Sequence, residues 1–341
     1  MPRPGIGHAT RRAWQAGQMQ FSADELGWAA QIVGRWVPPT PQYVWPLLAG
    51  RVGTETWVKH ENHTPAGAFK VRGGLVYAER LRARRPTVTG MVSATRGNHG
   101  QSLAFAGRAA DIGVTIVIPE GNSPDKNASM RGFGAELVVH GHDFQAAREH
   151  ASVLGAERGL EIVPSYHPDL VLGVATYAAE LFAAAGELDA VYVPVGLGSG
   201  ICGIIGVRDL LGLRTEVIGV VAERAPAIAW SVAAGRAVST PAADTFVDGV
   251  ACRVPDEAAI GVICGGAARI LTVSEDDASE AMRVLYTTTH NVPEPAGALA
   301  LAGLLAERPQ AAGKRVAVIQ TGGNADAGLL TQVLTGHTPA V

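Results

Sequence analysis

Cysteine is scarce in this sequence, which limits the kinds of scaffold and site that it can form. The three cysteines, Cys202, Cys252 and Cys264, are scattered, and none belongs to a CxxC pair. Neither a disulfide framework nor a cysteine-ligated zinc site is therefore expected. Such cysteine usage is typical of reducing compartments, so a cytoplasmic protein is predicted.

Concentrated positive charge and long apolar runs are also missing. The formal net charge is −3 and there is no basic stripe, so no nucleic-acid partner is expected. No stretch of 18 uninterrupted apolar residues occurs, so no membrane-spanning segment is predicted. Residues 1–20 carry arginines without an apolar run behind them, so no signal peptide is predicted.

What the chain does contain is enough apolar sequence for a large core. Its 341 residues are 47% hydrophobic but only 6% aromatic, so a core of Val, Ile, Leu and Ala is expected. Short runs rich in β-branched residues end at glycine or proline, as buried parallel strands do. These runs lie at 90–95, 113–121, 135–141, 190–200, 215–223 and 314–323. Alanine-rich helical segments lie at 99–112, 144–159, 172–186, 274–289 and 296–307. The alternation predicts an α/β fold with parallel sheets.

The glycine-rich sequence VPVGLGSGICG (193–203) is the strongest local signal. The backbone N–H groups of such a loop, with a helix N-terminus behind it, form a nest for a phosphate. The loop is not a P-loop, because no Lys-Ser/Thr pair follows, and no ribose-binding acid stands at the distance that a dinucleotide fingerprint requires. The alternative is an ordinary tight turn between a strand and a helix.

The sequence SATRGNHGQS (93–102) lies between a predicted strand and a predicted helix. Its hydroxyl groups and the free N–H groups at the helix start are well placed to hold a carboxylate. The alternative is N-capping of the helix by Asn98. A third loop, QTGGN (320–324), puts Thr321 at the carboxyl end of a strand, where open α/β sheets bind ligands.

Lys70 stands in the sequence AGAFKVRGG, among glycines and small residues. An amine in a partly apolar site has a lowered pKa and can form a Schiff base with an aldehyde. A phosphate nest and such a lysine are what pyridoxal 5'-phosphate requires. The alternative is a surface lysine whose stem covers apolar surface.

In this order, the motifs resemble those of the fold-type II family of pyridoxal-phosphate enzymes, most closely its threonine/serine dehydratase (ammonia-lyase) and serine racemase branch. The resemblance extends from about residue 40 to 325. It rests on ENHTPAGAFKVRGG, ATRGNHGQ, PVGLGSGICG, VPEPAGALAL (292–301) and QTGGN. It implies a fold like that of the tryptophan synthase β subunit, with two open α/β domains and the cofactor in the cleft. Residues 90–167 would form the small substrate-loop domain, and 1–89 with 168–341 the large cofactor-binding domain.

The resemblance also implies a role for each matching residue. Lys70 would be the Schiff-base lysine and then the base that takes the Cα proton. Phe69 would pack against the cofactor ring, Asn98 would bond to the phenolic oxygen, and Thr321 would face the pyridine nitrogen. The phosphate would be held by Gly196, Leu197, Gly198, Ser199 and Gly200. The substrate would be held by Thr95, Arg96, Gly97 and His99.

Arg96 departs from the family pattern, because racemases have a serine there and dehydratases often an alanine. Arginine stays protonated and is a poor base, which argues against efficient racemisation. Arg96 could pair with the substrate carboxylate, or with a second acidic group on the substrate, or turn to solvent.

The cation site of some relatives is also incomplete here. Glu223 matches its first position, but Ala227 offers only a carbonyl and Ala229 no carboxylate. Hard cations require oxygen ligands, so no metal site is predicted. His140 and His142 are interpreted as loop residues.

The expected reaction is β-elimination from a β-hydroxy-α-amino acid to a 2-oxo acid and ammonia. L-Threonine and L-serine are the default substrates, and phenylserine, hydroxyaspartate or a product of hydroxyectoine breakdown are bulkier options. An amino-acid racemase or a β-replacement synthase of the same fold is the alternative. A non-catalytic binder or a nucleotide-binding α/β protein would lack an aldehyde adduct.

Relatives imply a homodimer or homotetramer. The chain ends 18 residues after TGG, so no C-terminal regulatory domain and a catabolic enzyme are expected.

Overall fold

The structure is a computed structural model that describes residues 21–340. Residues 1–20, in which no signal peptide is predicted, lie outside the described residues. The strands are β1 (Gln42–Val44), β2 (Glu55–His60), β3 (Gly90–Ala94), β4 (Gly113–Ile118), β5 (Glu136–Val139), β6 (Glu161–Ile162), β7 (Ala190–Pro194), β8 (Glu216–Ala222), β9 (Arg269–Val273) and β10 (Arg315–Gln320). The helices are α1 (Ala23–Gly34), α2 (Pro46–Val52), α3 (Lys70–Arg84), α4 (Asn98–Ala109), α5 (Pro124–Gly132), α6 (Phe144–Arg158), α7 (Pro168–Ala185), α8 (Ser199–Leu210), α9 (Ala227–Ala234), α10 (Glu257–Gly266), α11 (Glu275–Thr289), α12 (Pro295–Ala306), α13 (Arg308–Ala311) and α14 (Ala327–Leu334).

Helix ends follow local capping chemistry. The Ser22 hydroxyl accepts from the Glu25 N–H group, and the Glu25 carboxylate accepts from the Ser22 N–H group, which closes a capping box at α1. Ser274 and Asp277 make the same exchange at α11, where the sequence predicts a helix start. Pro168 and Pro295 each occupy the first position of a helix, where no N–H partner is needed.

The strands form two sheets, and every pair of neighbouring strands is parallel except β1 with β2. The larger sheet has the order β1-β2-β10-β7-β8-β9, and the smaller has the order β5-β4-β3-β6. The predicted α/β fold with parallel sheets is confirmed. The strands of the smaller sheet all lie between residues 90 and 162, which supports the predicted domain boundaries; those boundaries stay a prediction.

Each sheet is covered on both faces. In β7, Val191 and Val193 face the apolar cluster under α7, α8 and α10, whereas Ala190 and Tyr192 face the cluster under α11 and α12. The smaller sheet packs α3 and α4 on one face and α6 on the other. Helix α7 is long and apolar enough to cross a membrane by those criteria alone, but 72% of it is buried within the fold, as core helices are.

Four strands fall outside the predicted runs: β1, β2, β6 and β9. In β2 the reason is Lys59 and His60, which interrupt the apolar pattern although both are buried. In the larger sheet, β2, β10 and β7 are neighbours. Because carboxyl ends of parallel strands meet at one edge, the loops that follow these strands converge there.

Candidate active site

The loops after β2 and β10 are joined by backbone hydrogen bonds. The Phe69 N–H group donates to the Thr321 carbonyl at 3.0 Å, and the Gly323 N–H group donates to the Gly67 carbonyl at 2.9 Å. The Glu294 N–H group, just before α12, donates to the Gly322 carbonyl at 3.0 Å. The loop that leads from β2 to Lys70, the QTGGN loop and the start of α12 therefore form one surface.

Lys70 is the first residue of α3, at the centre of this surface. Its Nζ lies 4.3 Å from the centroid of the Phe69 ring. Among residues 21–340, the ammonium has no hydrogen-bond acceptor and no ion-pair partner. Burial lowers the pKa of Lys70, and the more distant carboxylates of Glu294 and Asp248 offset that shift only in part. An amine in this state has a larger neutral, nucleophilic fraction than a surface lysine.

The glycine-rich loop after β7 presents a nest of backbone N–H groups. Within the described chain, no N–H group from Gly196 to Ile201 donates to a protein acceptor, and the first helical bond of α8 is made by Cys202. Gly198 has a φ of 102°, a backbone conformation that residues with a side chain rarely adopt. A Cβ at Gly196 would lie 2.9 Å from the Gly249 carbonyl oxygen. Unpaired N–H groups at a helix start are an anion site.

Phe69 connects the lysine to this nest. Its ring meets that of Tyr177 edge to face, with centroids 6.1 Å apart. The Tyr177 hydroxyl donates to the Gly200 carbonyl at 3.0 Å. The amine and the phosphate nest are thereby held in one packed unit.

A second group of unpaired N–H groups lies at the start of α4. Those of Arg96, Asn98, His99 and Gly100 have no acceptor in the described part of the chain, whereas that of Gly97 donates to the Thr95 hydroxyl at 3.3 Å. This arrangement can hold a carboxylate, as the sequence predicts.

Two side chains of this loop differ in their surroundings. The Arg96 side chain is exposed and has no ion-pair partner among the described residues, which agrees with the solvent alternative. His99 is buried, and its Nε2 has no hydrogen-bond partner there. Burial, together with the charge of Lys70, lowers the pKa of His99 to about 3, so its ring is neutral near pH 7.

Asn98 does not cap α4, so the capping alternative is wrong. The N-cap residue is Gly97, and no side chain caps the helix. The Asn98 Nδ2 instead donates to both carboxylate oxygens of Glu294, at 2.8 and 2.9 Å, and its Oδ1 accepts from Asn324 Nδ2 at 2.8 Å. Asn98 thus joins α4 to the loops of the larger sheet.

Three further charged residues border the site, and two of them, Lys126 and Asp248, have no predicted role. Glu294 is 5% exposed, and burial raises its pKa although the hydrogen bond from Asn98 opposes the shift. Lys126, on α5, pairs with Asp248. Burial disfavours the charged form of Lys126, but Asp248 outweighs it and raises the pKa. The VPEPAG motif is the sequence feature that pointed to Glu294. No sequence motif pointed to Lys126 or Asp248.

A cavity of about 430 Å³ lies beside these residues. Asn324, Lys126 and Asp248 form its wall towards the site, and Phe246 and Leu329 give it an apolar part. Thr321 is buried at the end of β10, and its hydroxyl makes no hydrogen bond to a described residue.

The positions considered for metal binding are dispersed. Glu223 is exposed, and no group of three or more His, Cys, Asp or Glu side chains within residues 21–340 is arranged to hold a metal ion. The His140 ring stacks on His150 with centroids 3.9 Å apart, while the His142 side chain is exposed.

An unpaired amine, an adjoining nest of N–H groups and an aromatic ring define a site that fits a phosphorylated aldehyde. The sequence matches the family described as pyridoxal-phosphate dependent enzyme over residues 34–322. The chain belongs to this family, and its predicted cofactor and fold-type II class are confirmed. The roles of individual residues stay predictions.

Relatives of several activities resemble this chain. The L-threo-3-hydroxyaspartate ammonia-lyase of Saccharomyces cerevisiae is 29% identical over 90% of this chain and 94% of that protein. A biosynthetic L-threonine dehydratase of Salmonella typhimurium is 32% identical over 84% of this chain, but this chain spans only 56% of that protein. A crystal structure of threonine deaminase from T.th. matches with a TM-score of 0.84 and 33% identity, covering 90% of this chain and 99% of that one.

Proposed function

We propose that this protein is a pyridoxal-phosphate-dependent dehydratase, or ammonia-lyase, which converts a β-hydroxy-α-amino acid to a 2-oxo acid and ammonia. One observation carries the proposal: Lys70, whose amine has no partner among the described residues, adjoins two groups of backbone N–H groups that have no acceptor there, one through the Ser102 bond to its carbonyl and the other through Phe69 and Tyr177. One group suits a phosphate and the other a carboxylate. The named activities of the relatives support the reaction class.

Pyridoxal phosphate, when bound, supplies an aldehyde that combines with amines and a ring that accepts electrons. The N–H groups of residues 196–201 would hold the phosphate, and Lys70 would bind the aldehyde carbon. Phe69 would pack on the ring, Asn98 would donate to the phenolic oxygen, and the free Thr321 hydroxyl would face the ring nitrogen.

The protein's own groups then position the substrate and move its proton. The N–H groups at the start of α4, with Thr95, hold the substrate carboxylate, which orients Cα towards Lys70. The amine of Lys70, once free, takes the Cα proton. The β-hydroxyl group takes up a proton and leaves as water, and a Cα=Cβ double bond forms. The resulting enamine becomes an imine, and water hydrolyses its C=N bond to give the 2-oxo acid and ammonia.

L-Threonine and L-serine remain the default substrates. The yeast relative is named for L-threo-3-hydroxyaspartate, which would bring a second carboxylate to this site.

The test is to incubate the holoenzyme with L-threonine, L-serine, phenylserine and 3-hydroxyaspartate and to follow 2-oxo acid and ammonia. A Lys70→Ala variant is the control, and borohydride reduction with peptide mass mapping locates the cofactor. We expect equimolar products from at least one substrate and an adduct on Lys70. Return of the D-amino acid would instead indicate a racemase. A requirement for a second nucleophile would indicate a β-replacement synthase.

We also propose a cytoplasmic homodimer or homotetramer. Cys202 and Cys252 are free and buried, and burial raises the pKa of each thiol to about 12, which suits unreactive thiols in a reducing compartment. Tyr43 and Leu47 are exposed on β1 and α2, along an edge that a second subunit could cover. Light scattering of the wild type and of Leu47→Asp measures the assembly.

A further inference from the structure

Asn98 can serve the proposed cofactor only in one orientation of its amide. The NH₂ group must face the phenolic oxygen, because a carbonyl oxygen has no hydrogen to donate. A rotation by 180° about the last side-chain bond would exchange the two groups with little change in shape. Something in the structure must therefore favour one orientation over the other.

The partners of Asn98 distinguish the two orientations. Its Oδ1 accepts from Asn324 Nδ2 at 2.8 Å, and its Nδ2 donates to the Glu294 carboxylate at 2.8 and 2.9 Å. Turning the Asn98 amide would place two NH₂ groups against each other and a carbonyl oxygen against a carboxylate. Both hydrogen bonds would be lost, and Glu294 is buried, so the cost is high.

The orientation of Asn324 is fixed in turn by the backbone. Its Nδ2 also donates to the Ala66 carbonyl at 2.9 Å and to Gln101 Oε1 at 3.2 Å. The Ala66 carbonyl can only accept, so the Nδ2 of Asn324 must lie on this side. The Ala66 carbonyl therefore determines the orientation of the Asn324 amide without reference to any ligand.

Glycines make room for this chain of hydrogen bonds. A Cβ at Gly67 would lie 2.3 Å from Asn324 Oδ1, and a Cβ at Gly322 would lie 2.5 Å from Glu294 Oε1. Gly67 also has a φ of 68°, which side chains rarely adopt. A residue larger than glycine at either position would therefore disturb Asn324 or Glu294, the two residues at the ends of this chain of hydrogen bonds.

We propose that Asn324 is a positioning residue that fixes the Asn98 amide with its NH₂ group towards the phenolic oxygen of the cofactor. This inference rests on the proposed function, because it takes the cofactor to be bound on Lys70. An N–H donor stabilises the ionised phenolic oxygen, whereas a facing carbonyl oxygen favours the protonated form. Asn324 would thereby determine the ionisation state, and so the absorption spectrum, of the bound cofactor.

The test compares Asn324→Asp with Asn324→Ala and with Asn127→Asp. The aspartate is isosteric but cannot donate to Asn98, to Ala66 or to Gln101, so it places a carboxylate against the Asn98 carbonyl oxygen and weakens the preference for the orientation that Glu294 also supports. Asn127 is the matched control, since its amide lies on α5 and bonds to Asn122. Measurements are the visible spectrum of the bound cofactor against pH, the cofactor dissociation constant, kcat and KM, and the adduct on Lys70.

For Asn324→Asp we expect the visible band to shift towards the form with a protonated phenolic oxygen, and cofactor affinity to fall by about 10- to 100-fold. kcat should fall more than KM rises, and the adduct on Lys70 should persist. Asn324→Ala should give a smaller shift in the same direction, and Asn127→Asp none. Because Asn324→Ala introduces no charge, it remains informative where the aspartate variant does not fold.

A folded Asn324→Ala or Asn324→Asp enzyme with the spectrum, cofactor affinity and kcat of the wild type would overturn the inference while leaving the proposed function intact. A wild-type protein without an adduct on Lys70 would overturn both. The two failures are therefore distinguished by borohydride trapping of the wild type.

Discussion

Two lysines that stand close together in the chain have opposite surroundings. Lys59 is fully buried and donates to Glu180 at 2.5 Å and to the Thr40 carbonyl at 3.1 Å. Lys70 has no such partner within the described chain. Burial lowers the pKa of both amines, and at Lys59 the nearby Glu61 and Glu180 carboxylates offset that shift only in part. The two amines therefore shift in the same direction, and they differ in that carboxylates hold the charged form of Lys59 in place.

The ion network around Lys59 also supports the site. Arg72, two residues after Lys70, is fully buried and donates to Glu61 at 2.7 and 3.0 Å and to Glu180 at 2.6 and 2.9 Å. These bonds attach the first turn of α3 to α7 and to Glu61, the residue that follows β2. In this ion network every charged side chain has a partner of opposite charge, and the network holds α3 in place. The amine of Lys70, at the start of the same helix, has no such partner among the described residues.

The largest effect on this contrast is expected from Lys70→Ala. Product formation should fall by about three orders of magnitude or more, because the group that binds the aldehyde and moves the proton is gone. The free energy of unfolding of the apoenzyme should change little, because the ammonium has no hydrogen bond or ion pair to a described residue and makes a cation–π contact only with the Phe69 ring. A variant that keeps measurable turnover, or that unfolds far more easily than the wild type, would contradict the assigned role.

Breaking the ion network around Lys59 and Arg72 should instead lower the free energy of unfolding. Arg72→Met leaves Glu61 and Glu180 with a single cation between them, and we expect a loss of about 3 to 5 kcal/mol in the free energy of unfolding. Urea denaturation of the apoenzyme measures it. The matched control is Arg35→Met, whose pair with Glu79 is exposed, with 3.7 Å between charged atoms, and should matter by less than about 1 kcal/mol. Equal losses in both variants would refute the comparison.

His60, next to Lys59, provides a pH test of the same buried region. Trp45 Nε1 can only donate, and it lies 2.9 Å from His60 Nε2, so His60 Nδ1 carries the hydrogen and donates to Gln320 at 3.0 Å. Burial lowers the pKa of His60 to about 4, because it disfavours the charged form. The unfolded chain therefore binds more protons than the folded one between about pH 6.5 and 4, and stability falls as the pH falls through this window.

The expected loss is up to about 3 kcal/mol by pH 4. Unfolding free energies against pH for wild type and His60→Gln measure it, with the exposed His142→Gln as control. The His60 variant should show a shallower dependence and His142→Gln an unchanged one. A slope that is the same in all three proteins would mean that His60 does not titrate in this way.

The smallest effect is expected from Arg96→Ala. The side chain is exposed and unpaired among the described residues, so the free energy of unfolding should stay within about 0.5 kcal/mol of the wild type. KM for L-serine, which has no second acidic group, should also stay unchanged. A large increase in that KM would show that Arg96 holds the substrate carboxylate.

The fold was predictable where hydrophobic pattern and burial agree. The apolar runs of β3, β4, β7, β8 and β10 coincide with fully or largely buried strands. β2 was missed because its burial includes charges, and Lys59 can be buried only because Glu180, far along the chain, lies against it. Similarly, β9 is only partly buried and has no continuous apolar run.

The sequence alone determined the chemistry available at the site: a lysine among small residues, a glycine-rich loop after a strand, and an Asn-His and a Thr-Gly-Gly motif at strand ends. Those features are local, since backbone freedom and side-chain type are properties of a few adjacent residues. Only the tertiary structure decided which groups meet. Glu294 and Asn324 stand 196 and 226 positions after Asn98, and no local pattern encodes their hydrogen bonds to it. The tertiary structure also decided that, among the described residues, Lys59 pairs with Glu180 and Lys70 pairs with no carboxylate, because Glu180 lies on α7, whose position follows from packing of the whole core.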